Sequence, residues 1–489
     1  MTSRLEHITE QRLESLNRIR AHGIDPYPHS YHPSHSIKET IALYQKQREN
    51  LHHVSLAGRI MAKRSMGKMT FADVHDGEGK IQLCFRHDLL GKEKYELLKE
   101  FDIGDFMGAQ GSLFQTKTGE ITLEVTDFTM LSKSLRPLPE KWHGLADIEI
   151  RYRQRYLDLI CNKGMRDVFV LRSQIIAGIR NFLNNRGFIE VETPVLQPQA
   201  GGALARPFIT HHHSLDEDLY LRIALELHLK RLIIGGFDRV YELGRVFRNE
   251  GISVRHNPEF TLLECYQAYT DYFDMMNLVE EMFAYISQEV LGNTRIDYNG
   301  KTVNFTLPWQ RLNLREAIKT HCGIDFENYP DVVTLRQQMA ALGMEVDPAK
   351  ERGRLIDDLI STFVEPNLTQ PTFLLDYPVE MSPLAKKKRG NARLVERFEG
   401  FIAGIEIANA FTELNDPVDQ RERFLRQVKE RISDEEVEVA DEDFLQALEY
   451  GMPPTGGLGI GIDRAVMLLT GQQSIRDVIL FPQLKKKND

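Results

Sequence analysis

The sequence predicts an α+β protein in two parts: a small barrel of five short strands, then a larger domain built on an antiparallel sheet. Three observations carry this. Between residues 54 and 135, short runs alternate apolar and polar side chains and are split by turn signals at Asp76-Gly77, Gly79 and Thr118-Gly119. The stretch LRPLPEKWHG, residues 135–144, has two prolines and reads as a linker. Beyond it, helical and strand-like patterns alternate irregularly with hairpin-like pairs, which favours antiparallel pairing over a doubly wound parallel sheet.

Composition narrows the class. A chain of 489 residues holds roughly two to four domains. Its apolar fraction of 42% and charged fraction of 27% are ordinary for a soluble globular protein. A net charge of −10 does not advertise a nucleic-acid binder, so any basic patch must come from folding. Part of the acidity is the run SDEEVEVADEDF, residues 433–444, read as a solvated face. Cys84, Cys161, Cys265 and Cys322 are scattered, with no CxxC pair, so neither a zinc site nor a disulfide framework is expected. The amino-terminal residues are too charged for a signal peptide, and no apolar run reaches the ~18 residues a bilayer span needs. The expected setting is a reducing cytoplasm, with no membrane partner.

Each element follows from its pattern. Residues 1–53 form a helical extension: a helix over 3–21 places Leu5, Ile8, Leu16 and Ile19 near one stripe, and a polar helix follows over 37–50. Residues 54–135 give five strands with a helix at 92–100 between the third and fourth, matching an OB-type barrel. Such barrels bind single-stranded nucleic acid on the strand 2–3 face. Here that face offers Phe71, Gln82 and Phe85, although Phe85 reads equally well as a core ring. Residues 136–150 are the linker, and 151–489 the main domain. In that domain a helix over 166–185 carries Val168, Leu171, Ile175, Ile179 and Phe182 on one stripe, GFIEVETPVL is a strand ending at Pro194, and residues near 312–368 form a mostly helical insertion.

The chemistry concentrates in three segments. FRNEGISVRHNPEFTLLECY, residues 247–266, reads as two strands joined by a loop broken at Gly251 and Pro258. Period-2 alternation puts Phe260, Leu262, Glu264 and Tyr266 on one face, opposite a strand ending at Arg248, with Cys265 turned into the core. A ring, a carboxylate and a phenol facing an arginine suit a ligand with a base, an ammonium and a phosphate. GGLGIGIDR, residues 456–464, is a glycine-rich turn into a helix, with Arg464 near the helix start. Its spacing is neither a dinucleotide fingerprint nor a Walker loop. ERFEGFIAGIEIANAFTELND, residues 396–416, sets Glu399 and Glu406 in an apolar strand, where buried carboxylates need partners and Mg²⁺ is a natural one beside phosphates. Asn409 and Glu413 share parity and Glu406 does not, so a bulge or strand end must intervene if all three line one site. His211–His213 lacks ligand spacing for a metal, and AKKKRG, residues 385–390, reads as a solvated loop.

These motifs, in this order, resemble the class II aminoacyl-tRNA synthetases. RPFITHH, ELHLKRL, FRNEGISVRHNPEF, ANAFTELND and GLGIGIDR are similar to the lysyl-tRNA synthetases of bacterial type, over nearly the whole chain. The resemblance implies a homodimeric cytoplasmic ligase that activates lysine with ATP and transfers it to the 3′ end of tRNA(Lys), using Mg²⁺, up to about three ions per subunit. It implies that Arg248 holds the α-phosphate and the amino-acid carboxylate, Glu250 reads the adenine amino group and His256 touches the outer phosphates. Phe260 would stack on adenine, with Arg464 on its other face. Glu399 and Glu406 would hold Mg²⁺. Gly202, Glu226 and Glu264 would receive the α-ammonium, and Tyr266 and Glu413 the ε-ammonium, with Asn409 nearby. Arg64, Phe71 and Gln82 would contact the anticodon, and Pro194 would lie at the dimer interface. Leu225, His228, Ala408 and Ala410 depart from some relatives but replace no charged residue. An aspartyl or asparaginyl enzyme would want a basic residue where Glu413 stands. A catalytically idle relative would have no chemical need for Arg248, Glu399, Glu406 and Arg464, and lysyl transferases that modify proteins lack the barrel.

Overall fold

The computed structural model describes residues 4–47, 53–139, 145–162, 164–199, 201–203, 205–430 and 441–486. The acidic run at 433–444 and the middle of the linker lie largely outside the described residues. The chain divides into two compact units, Met1–Asp147 and Ile148–Asp489.

In the first unit, β1 (Val54–Met66), β2 (Met69–His75), β3 (Lys80–Arg86), β4 (Phe106–Gln115) and β5 (Ile121–Ser132) close a barrel in the order β1-β2-β3-β5-β4. The long β1 pairs with both β2 and β4, and a bulge between Ile60 and Ala62 bends it from one partner to the other. Parallel pairing of β3 with β5 completes the closure. Phe85 is fully buried and edge-on to Phe128 at 5.4 Å, so it is a core ring and not part of the nucleic-acid face.

Helix α1 (Arg4–Ala21) buries Leu16 and Ile19, but Leu5 is 44% exposed and leaves the expected stripe. The buried positions are Arg12 and Ser15 instead. The reason is the surface beneath them: Arg12 donates to the carbonyls of Ile103, Ser134 and Arg136, and Ser15 to that of Glu100. A polar loop edge selects hydrogen-bond donors where a strand face would select leucine. The helix near residue 37 runs over Ile37–Gln47 as α2. The one predicted at 92–100 is α3 (Lys92–Leu97) followed by a 3₁₀ turn.

The second unit is organised by an eight-stranded sheet. Its strands are β6 (Ile189–Glu190), β7 (Arg239–Phe247), β8 (Glu259–Ala268), β9 (Gln310–Asn313), β10 (Thr372–Leu375), β11 (Arg397–Ile402), β12 (Ile405–Thr412) and β13 (Thr455–Gly461). Their order is β9-β10-β11-β12-β13-β8-β7-β6. The interior pairings are antiparallel, and only the two edge pairs, β6/β7 and β9/β10, are parallel. Of the strand expected to run to Pro194, Ile189 and Glu190 pair in the ladder, and the Val191 N–H adds one bond to the Tyr241 carbonyl at 2.9 Å.

One face of this sheet is covered by α4 (Met165–Asn184) and α6 (Tyr272–Leu291). Val168, Ile175, Ile179 and Phe182 join Leu263 and Cys265 in that core. Helix α6 begins with a reciprocal Asp271–Asp274 capping box and ends at Gly292 in the left-handed region, so both of its ends are satisfied. The insertion starts at Leu314, because Leu312 and Asn313 belong to β9. Its helices pack around Leu335, Met339, Leu355 and Leu359. Among the described residues, no helix is long and apolar enough to cross a membrane.

Candidate active site

The opposite face of the sheet holds the site. Alternation along β8 turns Leu263 and Cys265 into the helix-covered core and Phe260, Leu262, Glu264 and Tyr266 the other way. That face lines a cavity of about 2450 Å³. Gly202, Glu226, Arg248, Glu250, His256, Phe260, Glu264, Tyr266, Glu399, Glu406, Asn409, Glu413 and Arg464 all border it.

The deep end is a cluster of buried carboxylates. Glu226 opens α5 (Glu226–Ile234), Glu264 lies on β8, and Glu413 follows β12; all three are buried. Glu264 accepts from the Leu225 backbone N–H at 3.0 Å and from the Tyr266 hydroxyl at 3.0 Å. Burial, with the charge of Glu226 added, pushes the Glu264 carboxyl up to about 7. The same burial raises the Tyr266 phenol far above its usual range, so it stays a donor. One ammonium answers these acids: Lys230, fully buried on α5, pairs with Glu226 and with Glu413 Oε2. Burial pulls Lys230 down, but Glu226 and Glu413 outweigh it and hold the ammonium above its ordinary value. Neither oxygen of Glu413 has a hydrogen-bond partner among the described residues; Oε2 has the ion-pair contact with Lys230, and Oε1 has none. It rests against Gly457 of β13, where a Cβ would stand 1.8 Å away. Only glycine leaves room for that carboxylate.

The outer end is cationic and aromatic. Arg248, immediately after β7, donates to the Ile223 carbonyl at 3.3 Å and stands 5.2 Å from the Phe260 ring centroid. Arg464 lies in the first turn of α7 (Ile462–Leu469) and donates to the Glu406 carboxylate at 2.9 Å. It also stands 3.4 Å from His256 Nε2. Burial and Arg464 both push the His256 imidazole down, so it is neutral at pH 7. Neighbouring Asp463 is buried; it accepts from Arg172 at 2.7 Å and from the Thr261 N–H at 2.7 Å, pinning this helix start to β8.

The parity conflict at Glu406 is resolved by a bulge. Gly400 pairs with Ala408 and Phe401 with Glu406, leaving Ile407 as the extra residue. Beyond it Glu406 falls on the cavity face with Asn409. Glu399 accepts from Tyr377 at 2.7 Å and from Arg397 at 2.6 Å, and Arg397 also donates to Asn409 at 3.1 Å. Among the described residues no group of three or more His, Cys, Asp or Glu could hold a metal. Glu399 and Glu406, two hard carboxylates that both border the cavity, nevertheless fit Mg²⁺, which takes one or two protein carboxylates and completes its shell with other oxygens.

In the barrel unit, Arg64 pairs across the ladder with Phe71, and Gln82 with Asp73. Alternation sets Arg64, Phe71 and Gln82 on one outer face, with Arg64 3.8 Å from Asp73. His211 pairs with Asp218, and Lys386, Lys387 and Lys388 bond to Asn415, Asp419 and Asp376. Pro194 does not border the cavity.

Sequence reasoning missed Lys230, Arg397 and Tyr377. Lys230 follows Glu226 by one helical turn, a spacing that pairs them. Arg397 sits two residues before Glu399 on one strand face. Nothing local flags Tyr377.

A family model described as tRNA synthetases class II (D, K and N) matches residues 147–485, and one described as an OB-fold nucleic acid binding domain matches residues 54–131. The chain is 57% identical over 490 residues to a lysine–tRNA ligase of Dehalococcoides mccartyi (strain CBDB1), covering 99% of this chain and 98% of that one. It is 57% identical over 482 residues to the lysine–tRNA ligase of Moorella thermoacetica, with 98% of each chain covered. With that of Carboxydothermus hydrogenoformans the identity is 52% over 485 residues, covering 99% of each.

Proposed function

The chain belongs to the class II tRNA synthetases of the D, K and N group, and we propose that within it the chain is a lysine–tRNA ligase. The observation that carries this reading is the buried, undonated Oε1 of Glu413 at the closed end of the cavity. Glu226, Glu264 and Glu413 bring three carboxylates against the one ammonium of Lys230. Two carboxyl groups are left without a cation, both held above the usual carboxylate range by burial, and lysine brings two ammonium groups to ionise them. An aspartate or asparagine side chain offers Glu413 no cation.

The roles follow from position. Glu226, Glu264 and the loop at Gly202 receive the α-ammonium; Tyr266 and Glu413 receive the ε-ammonium, beside Asn409. Arg248 holds the substrate carboxylate against the α-phosphate of ATP, and Phe260 stacks on adenine with Arg464 across it. Glu250 reads the adenine amino group, and His256 reaches the outer phosphates. Glu399 and Glu406 would hold Mg²⁺, which supplies charge neutralisation to the phosphates.

The lysine carboxylate oxygen attacks the α-phosphorus, the bond to the β-phosphate bridge breaks, and pyrophosphate leaves. The 3′-hydroxyl of the tRNA then attacks the adenylate carbonyl and AMP leaves. No protein nucleophile is required: Arg248 and Arg464 position the reactants in line and meet the developing charge. Arg64, Phe71 and Gln82 contact the anticodon. A cytoplasmic homodimer with Pro194 at its interface completes the reading.

ATP–pyrophosphate exchange with each amino acid, then charging of a tRNA pool, tests it. Exchange should require lysine, with ornithine, one methylene shorter, weaker by roughly 10–200-fold. Exchange driven by aspartate or asparagine instead would overturn it.

A further inference from the structure

We propose that Lys230 is a specificity-determining positioning residue: it ties Glu226 to Glu413 and offsets one of the three buried carboxyl groups, leaving two for the two ammonium groups of lysine. This rests on the lysine reading of the same site.

Lys230 is fully buried. Its Nζ contacts Glu226 on its own helix and Glu413 Oε2 beyond β12, and lies 5.7 Å from the Phe411 centroid and 5.9 Å from that of Phe444. Stability alone gives little reason for such a group. A buried ion triad is commonly no more stable than apolar residues of the same volume. What Lys230 achieves is directional. It takes Glu413 by Oε2, so that Oε1 faces Gly457 on the cavity wall with no donor of its own. It also takes one oxygen of Glu226, across from Glu264. Without it, three carboxylates would face one another in a low-dielectric space. They would hold protons more tightly than Glu264 already does and part, and an incoming ammonium would have to displace those protons.

The test compares Lys230→Met, Glu226→Gln and the double variant with wild type in lysine-dependent ATP–pyrophosphate exchange, varying lysine and ATP separately. Lys230→Met should raise the lysine KM by roughly 10²-fold, the loss expected when a buried charge is left without its partner, with the ATP KM within about threefold. The double variant again leaves two acids, Glu264 and Glu413, for the two ammonium groups. Its lysine KM should therefore be no higher than that of Glu226→Gln alone. Additive losses in the double variant, or a lysine KM unchanged in Lys230→Met, would overturn the proposal. The comparison of Glu226→Gln with the double variant decides it even if Lys230→Met does not fold. A wild-type enzyme that fails to use lysine would instead overturn the lysine reading itself.

Discussion

Gly457→Ala probes the ammonium end of the pocket without replacing a charged group. Gly457 lies on β13 opposite Tyr266 of β8 and Phe411 of β12. A Cβ there would stand 1.8 Å from Glu413 Oε1, 2.6 Å from Tyr266 Cε1 and 2.8 Å from Glu413 Cδ. Ordinary contact begins at 3.4 Å, so the first approach is more than an ångström too close. Glu413 cannot simply retreat, because its other oxygen is on Lys230. Either the strands shift, an overpacking cost of about 1–3 kcal/mol, or the carboxylate rotates off Lys230 and leaves a buried charge unpaired, about 3–5 kcal/mol. The value near 3 kcal/mol where the two ranges meet corresponds to roughly a 10²-fold rise in the lysine KM. The adenine and phosphate side is untouched, so the ATP KM should stay within about threefold. Gly459→Ala is the control on the same strand and face. Its Cβ would meet only Asn409 O at 3.7 Å and Glu264 Cγ at 3.8 Å, so its urea midpoint should match wild type while that of Gly457→Ala falls. The assay is pyrophosphate exchange with each substrate varied in turn. A Gly457→Ala enzyme with an unchanged lysine KM, or with lysine and ATP KM raised in parallel, would refute the placement of the lysine side chain against Glu413.

Arg248→Ala should lower adenylate formation by roughly 10³-fold or more, the scale of a phosphate-stabilising arginine; near-normal pyrophosphate exchange would sink its assignment. The carboxyl of Glu264, raised to about 7 in the free pocket, must be ionised to meet an ammonium. Lysine affinity should thus fall as pH drops below about 7 and level off above it, with proton release on binding near pH 6.5. Calorimetry in two buffers of different ionisation enthalpy reads that release, and identical apparent enthalpies would contradict it. In the barrel, Arg64→Ala and Phe71→Ala should each raise the tRNA KM roughly tenfold, at the low end of a stacking contact, and leave tRNA-independent pyrophosphate exchange intact. An unchanged tRNA KM would remove that face from the anticodon site.

Alternation along residues 259–268 made the cavity-facing set on β8 legible, because a strand with one face on a core has no freedom to slip. The bulge at Ile407 was legible only as a requirement, from the parity clash of Glu406 with Asn409; its position depended on pairing with β11, which no local pattern encodes. Phe85 was ambiguous because a barrel strand presents large rings to both sides, and only Phe128, from another strand, decides which. Leu5 misled because the surface under α1 is a loop edge of open carbonyls, to which Arg12 is better suited. Lys230 escaped because its pairing with Glu413 joins residues distant in sequence, and ELHLKRL looks like an ordinary amphipathic helix start.

Selectivity in this pocket is an argument about charge first and shape second. Burying three carboxylates together is unfavourable, and Lys230 offsets only part of it. On the lysine reading, the remainder is relieved when the amino acid supplies two cations. A side-chain carboxylate would add a further negative charge to the closed end, and a neutral side chain would leave Glu413 Oε1 without a donor, the kind of mismatch that a polar site rejects by about 10⁴-fold. Arginine passes the charge criterion, and the walls must exclude it. Lys230 holds one oxygen of Glu413 and Gly457 lies against the other, which leaves one oxygen for a compact ammonium, not two for a planar fork. Ornithine passes both criteria and falls short by one methylene, so it is the competitor against which this pocket has least to offer.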